Sequence, residues 1–416
     1  MTDRVTKKLF DEICEGIFRE FRLLPGDEGR ELLLQVSNNL EREITAEQQF
    51  QHEFGRLRDE LLRVDGPGEL ARLHGHLAGL VAASFRRRQS APALHVLCSA
   101  VLDMTVTQAL RLAVEGLAEE GLGSAPPYAW LVMGAAGRRE ATLPQELEGL
   151  LVHGPGAEEA AYCAAMAGRA ISILGQCGIR SSKRGIMPDR PAWRASPEEW
   201  EERLEELCRR ERGPGSRSAR SGLRLGEFFP RRATNLSTPL FELADLRVVA
   251  GNHDLGDKLR LQVRAAAQRH PACILEAAQT VASLPSPFNF FGKYRVERSG
   301  PHRGMIELDR WGSLPLISMV RLQAVTVGIA ETGTLERIRL LLKRGALDVA
   351  LGKQLLLGGV EIFRLKAELD AREEVGNGGW LSPGELSPTD GKALREALES
   401  ISTLQKVIHS SLAQQV

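Results

Sequence analysis

Apolar residues recur every three or four positions over most of this chain, the interval of helices with one buried face. Leu61, Leu62, Leu70, Leu73, Leu77, Leu80 and Val81 fall on one such stripe, and Ala93 to Leu122 carries another without a proline inside it. Gly121-Leu-Gly-Ser-Ala-Pro-Pro127 ends that run, and the pattern changes. Tyr128-Ala-Trp-Leu-Val-Met133 is a short unbroken apolar segment before a glycine, which predicts a buried strand, with Leu150-Leu-Val152 as its partner after a turn. A helix is expected from about Ala157 to Leu174. Residues 188–197 read as irregular, and Ser196-Pro-Glu-Glu-Trp200 as a helix N-cap with an acidic first turn. Thr238 to Val249 alternates well enough for a further strand. Helices return from Leu255, and after a loop at 376–383 the last runs from Asp390 to about Leu412. No internal repeat is visible.

Composition adds detail without changing that outline. Aromatics are few and Ala, Leu, Glu and Arg abundant, which favours helix. At 416 residues the chain needs two or three cores. Its 54 basic residues balance its 54 acidic ones, so no bulk attraction to nucleic acid or an anionic membrane is expected, and any charged site must be local. The local exception is 209–232, with eight arginines, two acids and a run of Gly, Pro and Ser. It reads as a surface loop, with an arginine clamp for phosphate or nucleic acid as the functional alternative. Cys14, Cys98, Cys163, Cys177, Cys208 and Cys273 form no C-x-x-C pair and are expected to be reduced thiols. The N-terminus has no unbroken apolar core and no later segment is expected to span a bilayer, so the expected location is the cytoplasm, with no membrane partner. His74, His76, His153 and His253 lack metal partners in sequence, and Trp193 and Trp200 read as packing anchors.

The segment that carries chemistry is the predicted hairpin. Its strand runs into Gly134-Ala-Ala-Gly-Arg-Arg-Glu140, where glycines let backbone N–H groups approach phosphate and Arg138 and Arg139 add charged donors. Beyond the turn, Glu146 and Glu148 are two apart on a strand and so share a face, a way to present two carboxylates to Mg²⁺. By itself this pattern is more often that of a solvated turn with surface charges.

The string resembles the motif Gly-Ser-x-Gly-Arg-x-Glu followed by Thr-Asp-x-Asp in a nucleotidyltransferase family similar to the N-terminal catalytic region of bacterial protein-PII uridylyltransferase, often fused to CBS domains. Gly178-Ile, Met187, Trp193-Arg and Trp200 resemble the stretch after that family's catalytic helix, and Asp245-Leu-Arg-x-x-x-Gly251 resembles its Asp-x-Arg segment. Leu308 to Leu342, with Arg321, Thr334 and Arg337, and then Gly376 to Gln405, resemble its helical C-terminal domain. The resemblance implies an α+β fold: a small mixed-sheet, polymerase beta-like nucleotidyltransferase domain at 116–255, between a helical region at 1–115 and a helical domain at 256–416. It also implies a site. Glu146, Glu148 and Asp245 would be the catalytic, metal-holding carboxylates for Mg²⁺ or Mn²⁺, and Gly134, Ala135, Gly137, Arg138 and Arg139 would hold the nucleoside triphosphate.

Four positions depart from the family's pattern. Its two strand aspartates are Glu146 and Glu148 here, its turn serine is Ala135, and the threonine before the first acid is Gln145. Glutamate adds one carbon–carbon bond, about 1.5 Å, against Mg²⁺ ligands held at roughly 2.0–2.1 Å. Two functions follow from the resemblance. One is metal-dependent transfer of a nucleoside monophosphate to a protein or small-molecule hydroxyl. The other is an inactive nucleotide-sensing or scaffolding regulator with a protein partner.

Overall fold

The computed structural model describes residues 27–142, 146–211, 240–372 and 379–413. Of the arginine-rich loop expected at 209–232, residues 209–211 are helical instead, and 212–232 lie outside the described residues, as do Cys14 and Gln145. Contacts divide the chain into two units, residues 1–59 and 60–416. The first contains most of helix α1 (Asp27–Leu61). Everything below concerns the second.

Helices α2 (Pro67–Arg88) and α3 (Ala91–Glu119) follow. The expected stripe from Leu61 to Val81 is thus broken, because Gly66 and Pro67 start a new helix with proline at its first turn. By length and composition α3 is able to cross a membrane, contrary to the sequence expectation. Its apolar length is used in packing instead: Leu94, Val101, Leu102, Val106, Ala109 and Leu110 are buried, and the helix lies against α2, the helices Ala157–Gln176 and Val349–Arg372, and the strand Arg247–Gly251.

Strands β1 (Tyr128–Met133) and β2 (Glu146–His153) form the predicted antiparallel hairpin, with Met133 opposite Glu148. Helix α4 (Ala157–Gln176) leads to β3 (Arg180–Ser181) and then β4 (Arg194–Ala195), both parallel to β2. The alternating stretch near Thr238–Val249 is not one strand. Glu242–Asp245 forms a 3₁₀ turn, and β5 (Arg247–Gly251) pairs antiparallel with β1. The mixed sheet therefore runs β3-β2-β1-β5, with β4 also on β2.

Ala129, Leu131 and Met133 point from β1 into a core shared with Leu150, Val152, Trp193, Trp200 and helices α5 (Pro197–Glu211) and α6 (His253–Arg269). Trp193 and Trp200 are packing anchors, the latter donating its indole N–H to Leu151 O at 3.3 Å. Ser196 caps α5 as the sequence predicts, its hydroxyl accepting from Glu199 N while Glu199 accepts from Ser196 N.

The C-terminal helices α7 (Pro271–Ala282), α8 (Leu314–Thr326), α9 (Thr334–Lys343), α10 (Val349–Arg372) and α11 (Pro388–Ala413) enclose a second core around Leu316, Ile338, Leu355 and Leu398. A two-stranded ribbon, β6 (Ile306–Glu307) with β7 (Trp380–Leu381), lies beside it. The fold is α+β, a small mixed sheet flanked by helices.

Candidate functional site

Alternation along β2 buries Leu147 and turns Glu146 and Glu148 to the opposite face. Register then places Glu148 at the end of β1, beside the turn. Gly134 has φ +61, and a Cβ there would lie 2.8 Å from Glu148 Oε2, so the glycine makes room for that carboxylate. Ser182 donates to Glu148 Oε1 at 2.9 Å, and Arg184 Nη1 stands 3.5 Å from the same oxygen. Burial pushes the Glu148 carboxyl up from its ordinary value, with Arg184 and Ser182 pulling it back. Glu146 lies nearer solvent, with Lys183 Nζ at 3.4 Å.

A third carboxylate reaches this face, and it is not the one carried over from the sequence. Glu242, on the 3₁₀ turn, accepts from Arg184 Nη2 at 2.6 Å. Glu242, Ser182 and Arg184 escape a reading confined to the hairpin, because no motif announces them. The one cue was the basic pair Lys183-Arg184 before Gly185, whose φ of +71 marks a turn.

Asp245, carried over as a metal ligand with Glu146 and Glu148, is bonded to arginines in this structure. Its carboxylate has 0% exposure and sits among three guanidinium groups. Arg138 Nη1 is 2.8 Å from Oδ2, Arg337 Nη1 is 2.6 Å from Oδ1, and Arg321 spans both oxygens, with Nε 3.1 Å from Oδ1. These charges hold the Asp245 carboxyl well below the usual carboxylate range against the burial that opposes ionisation. Arg138 also donates to Glu140 Oε2 at 2.7 Å, and Glu140 Oε1 accepts from Thr334 N at 2.5 Å. Arg337 donates further to Ala244 O and Glu331 O, and Arg321 lies over the Phe241 ring. The result is a clamp of three arginines and two acids that joins the hairpin turn to α8 and α9.

That clamp occupies one expected phosphate donor, Arg138, and packs closely around Gly137. Arg138 is buried and its guanidinium is spent on Glu140 and Asp245. Gly137 has no room above it, since a Cβ would meet Asp245 O at 2.1 Å and Val132 O at 3.0 Å. Its carbonyl accepts from Thr332. Arg247, from the Asp-x-Arg segment, grips Asp103 of α3 with two bonds of 2.7 and 2.8 Å and donates to Ala136 O, which fixes the turn from below. Ala135 and Arg139 remain exposed, the latter at φ +56.

The carboxylates thus split into two sets, Glu146, Glu148 and Glu242 on the open face and Asp245 inside. Among the described residues no three His, Cys, Asp or Glu side chains are placed to hold one metal ion. The three-carboxylate Mg²⁺ set does not fit this arrangement. The histidines supply no alternative: His74 is bonded to Thr105, and His153 to Gly154 O. A cleft of about 420 Å³ opens along α2 at His74, Ala78 and Phe85, closed by Thr142 and Ile179 and by Ala367 and Asp370 of α10, and neither Gly134 nor Glu146 nor Glu148 lines it.

A family model described as Putative nucleotidyltransferase DUF294 matches residues 75–213. A second, described as Putative nucleotidyltransferase substrate binding domain, matches residues 271–412. Together they span about two thirds of the sequence. A search among curated proteins finds no match. The two descriptions point to nucleotidyl transfer in general as the chemistry of the fold and to a nucleoside triphosphate as its ligand. The arginine clamp joins residues of the first match, Arg138 and Glu140, to residues of the second, Arg321, Thr334 and Arg337.

Proposed function

The chain belongs to the nucleotidyltransferase family defined by these two matches, and we propose that it binds a nucleoside triphosphate at the Gly134 turn as a nucleotide-sensing or scaffolding regulator. The observation that carries this reading is the withdrawal of Asp245 into the arginine clamp while Lys183 and Arg184 pair with Glu146, Glu148 and Glu242, so that the carboxylates left on the open face answer internal cations. Arg139, exposed on the turn, suits a polyphosphate. Because the clamp also ties the hairpin to α8 and α9, a ligand that moves the turn would be felt across both matched domains.

The competing reading is metal-dependent transfer of a nucleoside monophosphate to a protein or small-molecule hydroxyl, on the pattern of protein-PII uridylyltransferase. It is favoured by the two family descriptions, which name nucleotidyl transfer and a substrate-binding domain. One pair of measurements separates the two. With α-labelled ATP, UTP, CTP and GTP, Mg²⁺ or Mn²⁺ and cell extract, no label is expected to reach an acceptor. Titration with a fluorescent triphosphate is expected to give the same affinity, within about threefold, in EDTA as in Mg²⁺. Label transfer that disappears in Glu148→Gln, or triphosphate binding that requires the metal, would establish the transferase instead.

A further inference from the structure

Three carboxylates on the open face are each met by a cation from one short segment. Lys183 pairs with Glu146, and Arg184 stands between Glu148 and Glu242. The last two come from different elements, β2 and the 3₁₀ turn, and their side chains are only 16% and 19% exposed. Two like charges so placed repel unless a counter-charge lies between them. A planar guanidinium offers forked donors to two carboxylates at once, which suits it to that position better than an ammonium.

The segment is also built to hold Arg184 in place. Arg184 N donates to Ser182 Oγ at 3.1 Å, and that hydroxyl in turn donates to Glu148. Gly185, in the left-handed region, turns the chain away immediately afterwards. With Asp245 absent from this face, the two remaining inner carboxylates are served by an internal cation.

We infer that the Arg184 guanidinium takes the place of a divalent cation between Glu148 and Glu242, excluding metal from this face while it is seated. The inference rests on the same reading of the hairpin as the nucleotide site and deepens it, by giving the reason for metal-independent binding. A metal ion entering against Arg184 would meet a like charge and lack two free carboxylates. Without Arg184 the same two carboxylates would attract one.

The test is Mn²⁺ binding without nucleotide, read from loss of the free-ion electron paramagnetic resonance signal. The wild type is expected to leave the signal undiminished up to about 1 mM Mn²⁺, whereas Arg184→Gln should bind at least about tenfold more tightly. The double variant Arg184→Gln/Glu148→Gln should lose that gain, and Arg184→Lys, which keeps the charge, should bind like the wild type. Arg184→Met supplies a second neutral side chain of similar length should circular dichroism show that Arg184→Gln does not fold. Tight Mn²⁺ binding by the wild type, no gain in a folded neutral variant, or an equal gain in Arg184→Lys would each overturn the inference. Triphosphate binding in EDTA is measured separately, so its absence would remove the proposed function while leaving the Mn²⁺ result to stand or fall alone.

Discussion

Asp245→Asn is expected to destabilise the protein by about 3–5 kcal/mol, because it leaves buried guanidinium charges without their shared partner. Arg138, Arg321 and Arg337 all point at one carboxylate with 0% exposure. After the substitution only Glu140 would answer three positive charges, and it contacts Arg138 alone among them. The asparagine amide adds a donor facing donors. The asymmetry matters: a buried ion pair contributes little compared with an apolar pair of the same shape, yet removing one member is costly. Urea denaturation followed by tryptophan fluorescence should show the midpoint falling at unchanged slope. A carboxylate whose only task was to hold a metal would behave differently, since its removal relieves repulsion. An Asp245→Asn protein as stable as the wild type would return Asp245 to the candidate metal ligands.

The same clamp sets a pH dependence whose sign is fixed by the direction of the Asp245 shift. Its folded-state carboxyl is held below the unfolded value. Its contribution is therefore complete above the ordinary aspartate range of about 3.9 and is lost as pH falls below that toward the depressed folded value. The difference in stability between wild type and Asp245→Asn is expected to be constant from neutral pH to about pH 5 and to shrink below about pH 4. A difference that grew on acidification would contradict the clamp.

How much of this was legible in the sequence depended on whether the cause was local. The hairpin was, because the apolar runs 128–133 and 150–152 have the length of buried strands bounded by turn residues and need only each other to pair. Ser196 and its capping box were too, since all the atoms involved lie within four residues. The role of Asp245 was not. Arg138 lies 107 residues before it, and Arg321 and Arg337 lie 76 and 92 residues after it. Resemblance could say that these residues travel together without saying that they meet one another in place of a metal. Glu242 was hidden for the opposite reason: three residues from the acid that attracted attention, it was read as part of a strand that the chain does not form. The 3₁₀ turn brings it to Arg184, and no periodicity argument reaches a turn of four residues.

Gly137→Ala is the second large effect, and it decides between two meanings of the same glycine. As part of a phosphate-binding turn, Gly137 would be needed for close approach of a ligand, and alanine would cost affinity while sparing the fold. The geometry gives the other meaning. A Cβ at Gly137 would lie 2.1 Å from Asp245 O and 3.0 Å from Val132 O, and both obstacles are backbone that no rotamer change can move aside. The turn, the start of β5 and the position of Asp245 among its arginines would all have to shift. The expected cost is about 3 kcal/mol or more, at the upper end of overpacking effects. Gly134→Ala is the control. Its backbone has φ +61, a strain of about 1–3 kcal/mol for alanine. Its steric obstacle, however, is only the movable end of Glu148. Thermal denaturation should therefore rank Gly137→Ala below Gly134→Ala, and Gly134→Ala, which crowds Glu148, should show the larger loss of triphosphate affinity among protein that remains folded. A Gly137→Ala protein that melts like the wild type but no longer binds nucleotide would restore the glycine to the phosphate site and move the ligand across the turn, away from Glu148.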